Sequence, residues 1–374
     1  MSRHGDAPEG AGTGLWAPIR VGSAALPNRF AMAPMTRRRS PGGVPGADVA
    51  AYYARRAAGG AGLIITEGTY IDHPTAGGSD AVPRFDRSTM PAWQAVAAAV
   101  QAEGAAIFPQ LWHIGCGRQP GQPPYPDAPV LGPSGLDLDG NPHGRAMTGS
   151  DIETVVAAYA DGAALAREGG FDGVEIHGAH GYLIDQFLWD RTNRRTDGYG
   201  GSPRARARFA AEVVGAVRQA VGPDYPVAFR FSQWKVRHYE ARIAQDPAEL
   251  AQILEPIAAA GATILHASVR RYWEPAFAGS PLTLAGWTRR LTGLATMTVG
   301  SVGLDGVFAA GGDNGGAAAA AGLGPLVDRF GAGEFDLVAV GRALIADPDW
   351  VAKVRDGRTG ELVGFTPEAT AAFV

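Results

Sequence analysis

A single cysteine, Cys116, in 374 residues rules out an internal disulfide and any metal centre built from cysteines. Lysine is almost as scarce: Lys235 and Lys353 are the only two among 33 cationic side chains. The remaining cations are Arg in a chain rich in Ala and Gly, a compositional bias that lowers the weight any one arginine carries. No uninterrupted apolar run approaches the roughly 18–20 residues of a membrane helix, and residues 1–14 lack the apolar core of a secretory signal. Basic blocks are missing too, and the net charge is −4, which excludes nucleic acid as the expected partner. These absences lead us to expect a cytoplasmic protein with no membrane partner, a mobile tail over residues 1–14 and one domain over 15–374.

Short β-branched or aliphatic runs recur at 29–33, 63–67, 106–111, 173–177, 227–231, 263–266, 296–300 and 337–341. Between them lie stretches of helical period at 90–103, 151–168, 204–221, 247–260 and 317–330. Strand followed by helix eight times over is the pattern of an α/β fold, a single (β/α)8 TIM barrel. A doubly wound sheet competes, but the first βα turn, Pro34-Met35-Thr36-Arg37-Arg38-Arg39, lacks the glycine fingerprint that such a fold uses for a dinucleotide. One Pro/Gly-rich segment, 115–143, falls after the third strand. Its length predicts an active-site flap.

Barrel enzymes assemble their sites at the C-terminal strand ends. Those ends here carry Pro34, Met35 and Thr36; Gly68; Gln110 and Trp112; His177, His180 and Tyr182; Arg230; His266; Gly300 and Ser301; and Gly341 and Arg342. The last two ends have bare turn amides and one cation where barrels commonly hold a phosphate, which implies a phosphorylated cofactor. Gly173-Val174-Glu175-Ile176-His177-Gly178-Ala179-His180-Gly181-Tyr182 delivers two imidazoles and a phenol to one place, suited to polarising a carbonyl and protonating a carbon. A metal site drawn from Glu67, His113, His177, His180 and His266 is the rival reading, disfavoured by the cation Arg230 at the same mouth. Glu175 reads as an interior hydrogen-bonding group, Arg37-Arg38-Arg39 as a solvated loop, and the segment 190–201 as a structural loop. Tyr272, Trp273 and Trp287 either wall a pocket for a flat ligand or pack their own loop.

Taken in order, Leu26-Pro27-Asn28-Arg29, Ala33-Pro34-Met35-Thr36, Gly62 to Gly68, Gln110-Leu111-Trp112-His113, His177 to Gln186 and Val338 to Leu344 resemble the old yellow enzyme family, the FMN-dependent NAD(P)H:flavin oxidoreductases and ene-reductases. Phe231-Ser232-Gln233-Trp234-Lys235 resembles a bacterial subgroup of it. The resemblance implies non-covalent FMN, with Pro34, Met35 and Gly68 lining the ring, Thr36 near its O4 and N5 edge, Gln110 on the pyrimidine and Arg230 beside N1 and O2. Gly300, Ser301, Gly341 and Arg342 would take the phosphate. It further implies NAD(P)H as reductant and a small-molecule activated alkene as substrate, held by His177 and His180, protonated by Tyr182 and flanked by Trp273. No metal is expected, and a homo-oligomer is compatible with the family. Its alternatives are a flavin-dependent dehydrogenase or demethylase on the same barrel, a metal-dependent barrel hydrolase, and a barrel that binds its ligand without turnover.

Overall fold

Eight parallel strands close on themselves in a computed structural model that describes residues 13–304 and 323–373. They are β1 (Phe30–Met32), β2 (Leu63–Ile71), β3 (Ala106–Trp112), β4 (Val174–His180), β5 (Val227–Lys235), β6 (Ile264–Ser268), β7 (Ala295–Val299) and β8 (Leu337–Val340). Each pairs with its neighbours in chain order, and β1 pairs with both β2 and β8, so no barrel edge is left open. The expected (β/α)8 barrel is the fold. The expected tail at 1–14 falls almost wholly outside the described residues, as does the Gly/Ala-rich part of the predicted helix at 317–330.

Several strands run further than the sequence pattern suggests, β2 and β5 most of all. Past the expected ends at Glu67 and Phe231, β2 and β5 continue through Gly68-Thr69 and Ser232-Gln233 to Ile71 and Lys235, with every residue buried. Register shifts between Ile65 and Gly68 and between Phe231 and Lys235 absorb the irregularity. Side-chain hydrogen bonds take up the polar groups, for example Thr69 Oγ1 to Gln110 O at 2.9 Å.

The outer ring comprises helices α1 (Ala47–Ala58), α2 (Met90–Ala102), α3 (Gly149–Glu168), α4 (Arg208–Val221), α5 (Pro247–Ala259), α6 (Leu284–Thr292) and α7 (Leu323–Gly331). Their starts follow ordinary capping chemistry. Thr148 and Asp151 form a reciprocal capping box on α3, and Asp246 accepts from the Ala248 and Glu249 amides ahead of α5. On α4, Phe209, Val213, Val214, Val217 and Val221 form the buried stripe against the sheet. At the opposite end from the strand tips, a hairpin of Ile19–Val21 and Ala24–Leu26 plugs the barrel floor. Its Val21, Ala24 and Leu26 join the interior cluster of Leu63, Ile65, Phe108, Ile264 and Leu337.

The segment 115–143 carries a short strand pairing, Leu131–Gly132 with Arg145–Ala146, and is tied down by Arg118 donating to the carbonyls of Gly77, Gln122 and Tyr125. It packs beside the β4 turn, with Leu138 against Gly181.

Candidate active site

At the strand tips a cleft of about 400 Å³ opens, within the size usual for cofactor sites, roughly 300–1,000 Å³. All eight strands or the residues just after them reach its wall, because parallel closure brings every C-terminal end to one side.

One end is built for an anion. Gly300 and Ser301 follow β7 with left-handed backbones, φ 133° and 52°, and a β-carbon at Gly300 would collide with the Val269 carbonyl oxygen. Ser301 Oγ donates to Arg270 O at 3.0 Å and accepts from Arg342 Nη2 at 3.3 Å. The result is a turn of backbone amides beside a guanidinium, a known form of anion cradle.

Beneath the middle of the cleft lies a buried polar layer. Glu175 accepts from Gln110 Nε2 at 2.8 Å and from His266 Nδ1 at 2.6 Å. Burial alone would raise this carboxyl, but the neighbouring His266, Arg230 and Gln110 outweigh burial and hold it ionised, below its ordinary value. Arg230 is aligned in register with His177 on β4 and His266 on β6. Burial pushes its guanidinium down to about 10, with Glu175 opposing, so it stays charged at neutral pH. One of its bonds is spent on Ser268 Oγ, 3.3 Å away, while its Nε is buried with no hydrogen-bond partner among the described residues.

The other end is aromatic. The His177 ring lies 5.2 Å from that of His180 and 5.1 Å from that of Tyr182, both near perpendicular. Trp112 stacks beside His177 at 5.8 Å and meets Tyr182 edge-on at 4.7 Å, and Trp234 covers His180 at 4.4 Å. His177 Nδ1 accepts from the Ala179 amide, which assigns its proton to Nε2. Burial first, then the charge of Arg230, holds both imidazoles well below the ordinary histidine value. Burial raises Tyr182. At neutral pH the trio is therefore two neutral rings and one protonated phenol.

Residues 14–318 match the NADH:flavin oxidoreductase / NADH oxidase family. The chain belongs to this family, the old yellow enzymes. It is 35% identical over 360 residues to an NADH oxidase of Thermoanaerobacter brockii, a match covering 93% of this chain and 52% of that protein. To 12-oxophytodienoate reductase 7 of Oryza sativa subsp. japonica it is 42% identical over 249 residues, 63% of this chain and 62% of the relative. The chain thus spans between half and two thirds of these curated relatives. Among solved structures, morphinone reductase in complex with tetrahydroNAD aligns over 96% of this chain and 94% of its own, with TM-score 0.77 and 32% identity. Old Yellow Enzyme from Pichia sp. AKU4542 aligns over 96% and 90%, with TM-score 0.79 and 27% identity.

Old yellow enzymes bind FMN, and this cleft fits it. The unpartnered Arg230 Nε would offer a buried cation to an electron-rich ring edge, and the Ser301–Arg342 cradle would seat a phosphate. Pro34, Met35, Thr36, Gly68, Gln110, Gly300 and Gly341 line the space between and around them, with His177, His180 and Tyr182 at one side.

Trp273 is not brought there. It packs edge-on against Tyr272 at 5.0 Å and lines no part of the cleft formed by the described residues. Nor does the segment 115–143, which buttresses Tyr182 from the side, Gly117 lying beside the phenol ring. The candidate metal ligands are dispersed into separate bonds. Glu67 accepts from the Arg37 and Arg38 amides, His113 Nε2 bonds Thr75 Oγ1, and His266 holds Glu175. Among the described residues no three such groups converge on a metal position. Arg37 and Arg39 donate to the carbonyls of Thr370, Ala371 and Ala372, which brings Phe365 and Thr370 to the cleft rim. Trp234, Val236, Arg270, Phe365 and Thr370 are wall residues that sequence reasoning missed. Extending β5 past Phe231 would have found Trp234, whereas the C-terminal pair left no local signal.

Proposed function

We propose that this old yellow enzyme reduces the C=C bond of α,β-unsaturated carbonyl compounds and related activated alkenes at the expense of NAD(P)H. The observation that carries this is the convergence of two neutral imidazoles and a protonated phenol on the cleft that also holds Arg230. FMN, when bound, would supply a two-electron store between the nicotinamide and the alkene.

The protein's own groups do the rest. His177 Nε2–H and His180 Nδ1–H, the latter ring accepting from Ser268 Oγ through Nε2 at 2.8 Å, donate hydrogen bonds to the carbonyl or nitro oxygen, drawing electron density from the alkene so that its β-carbon accepts hydride. Neutrality suits that task, because a neutral imidazole donates without surrendering its proton. Tyr182 gives its phenolic proton to the α-carbon and regains one from solvent. Net, one NAD(P)H and one proton are consumed and two C–H bonds form. Arg230 would stabilise negative charge at the pyrimidine edge of the cofactor, Gln110 would hold that edge, Thr36 would bond the O4 side, and the Ser301–Arg342 cradle would take the phosphate. One face serves nicotinamide and alkene in turn, which gives ping-pong kinetics.

The test is a visible spectrum of the purified protein, followed by anaerobic NADH or NADPH and then cyclohexenone. A flavin spectrum that bleaches and then returns is the expected result. A colourless protein that fails to take up FMN, or a bleached one that no activated alkene restores, rejects the reading.

A further inference from the structure

Directly behind the proposed catalytic turn lies an ion pair that none of these steps uses. Lys235 Nζ stands 2.9 Å from Asp185 Oδ1, and both side chains are fully buried. Burying two charges sacrifices hydration that an apolar pair would not, so stability alone gives little reason for it. Composition sharpens the point, since a chain that uses Arg almost everywhere has one of its two lysines here. The ammonium also donates to the carbonyls of Ser232 at 3.2 Å and Gln233 at 2.8 Å. Three converging acceptors suit a compact ammonium better than a planar guanidinium.

The pair leads to Tyr182 through one turn. Asp185 Oδ2 accepts from the Gly181 amide at 2.6 Å, and Gln186 Nε2 donates to the Gly181 carbonyl at 2.8 Å. His180 and Gly181 both have left-handed backbones, φ 67° and 87°, a conformation that costs energy for a residue with a β-carbon and needs outside restraint. Further restraint comes from β5. Ser232 Oγ accepts from the His180 amide at 3.0 Å, and Val236 N donates to His180 O at 3.2 Å. We propose that Asp185 and Lys235 are positioning residues for the alkene half-reaction. The ammonium orients the carboxylate, the carboxylate fixes the Gly181 amide, and that amide sets the direction in which the chain presents the Tyr182 phenol. The inference rests on the reading of Tyr182 as proton donor.

The test removes both charges together, so that neither is left buried alone. Asp185→Ala with Lys235→Met should fold and bind FMN, keep its reduction by NAD(P)H within about threefold, and lose at least about tenfold in reoxidation by cyclohexenone. Adding Tyr182→Phe to that pair should cost nothing beyond Tyr182→Phe alone. Asp185→Asn with Lys235→Met restores an acceptor for the Gly181 amide and should recover most of the loss. In the FMN-free protein, hydrogen exchange over residues 178–186 should quicken in the alanine pair and not in the asparagine pair, with the barrel strands unchanged. Equal losses in both half-reactions, additivity with Tyr182→Phe, or unaltered exchange at 178–186 overturns the proposal. By contrast, a Tyr182→Phe enzyme as fast as wild type overturns the proton-donor reading, and the exchange result then decides the positioning of the turn by itself.

Discussion

On the proposed reading, the alkene chemistry turns on Tyr182. Burial keeps its phenol protonated across the working range, so Tyr182→Phe should slow reoxidation by an enone roughly 100-fold or more while leaving reduction by NAD(P)H nearly unchanged. Stopped-flow measurement of the two half-reactions checks it, and equal losses would count against the assignment. Glu67 makes a separate prediction about pH. Its carboxyl is buried and pushed up to about 7, chiefly by burial and against the pull of the Arg37 and Arg38 amides. A raised acid pKa means that the folded protein holds a proton the unfolded chain has already released. The associated stability is present below about pH 4.5 and is lost as pH climbs toward 7, on the order of 3 kcal/mol in the limit. Glu67→Gln removes the charge and retains an acceptor for the two amides. Its melting temperature should therefore exceed that of wild type at pH 8, with little or no advantage at pH 4.5.

At the scale of the element, strands were more legible than their ends. Residues 30–33 and 337–340 are continuous apolar runs, and buried parallel strands need little else to be recognised. What followed Phe231 was harder, because Ser232 and Gln233 are polar and become buried strand residues only when neighbours satisfy them. Gln233 does so by accepting from the Ile243 amide at 2.7 Å and donating to Ala244 O at 2.9 Å. That long-range bonding hid Trp234. Short strands were worse still: three residues at Ile19–Val21 hold too little periodicity to announce a hairpin. For the β7 and β8 tips, the Ser301–Arg342 cradle makes a direct prediction. Arg342→Ala should weaken FMN binding by about 10- to 100-fold, the worth of a charge-assisted hydrogen bond. Fluorescence titration of the FMN-free protein measures it, and unchanged affinity would assign the phosphate elsewhere.

Over the whole molecule, the barrel was readable because eight βα alternations leave few other architectures. The site was readable because that fold sends every strand tip to one place. His177, His180, Tyr182 and Arg230 reach one cleft for the same reason, whereas Trp273 sits on a loop whose course no repeat dictates. The cofactor cleft touches all eight strand tips, so FMN should brace the barrel as a unit. At 100 times its dissociation constant a ligand specific for the folded state contributes about 2.7 kcal/mol. Melting of the FMN-free protein should accordingly rise by several degrees as FMN is added and keep rising with its logarithm. A melting temperature indifferent to FMN would place the ligand on a part of the molecule that does not limit unfolding.

The hairpin in the barrel floor has a consequence for traffic. With Val21, Ala24 and Leu26 packed into the interior hydrocarbon, the chamber has a front door and, among the described residues, no back one. On the proposed ping-pong reading, reductant and alkene would queue at that door, each arriving only after the other's product has left. An excess of either therefore blocks the line: turnover should climb, peak and fall as one reactant is raised, and the peak should move to higher concentration when the other is raised with it.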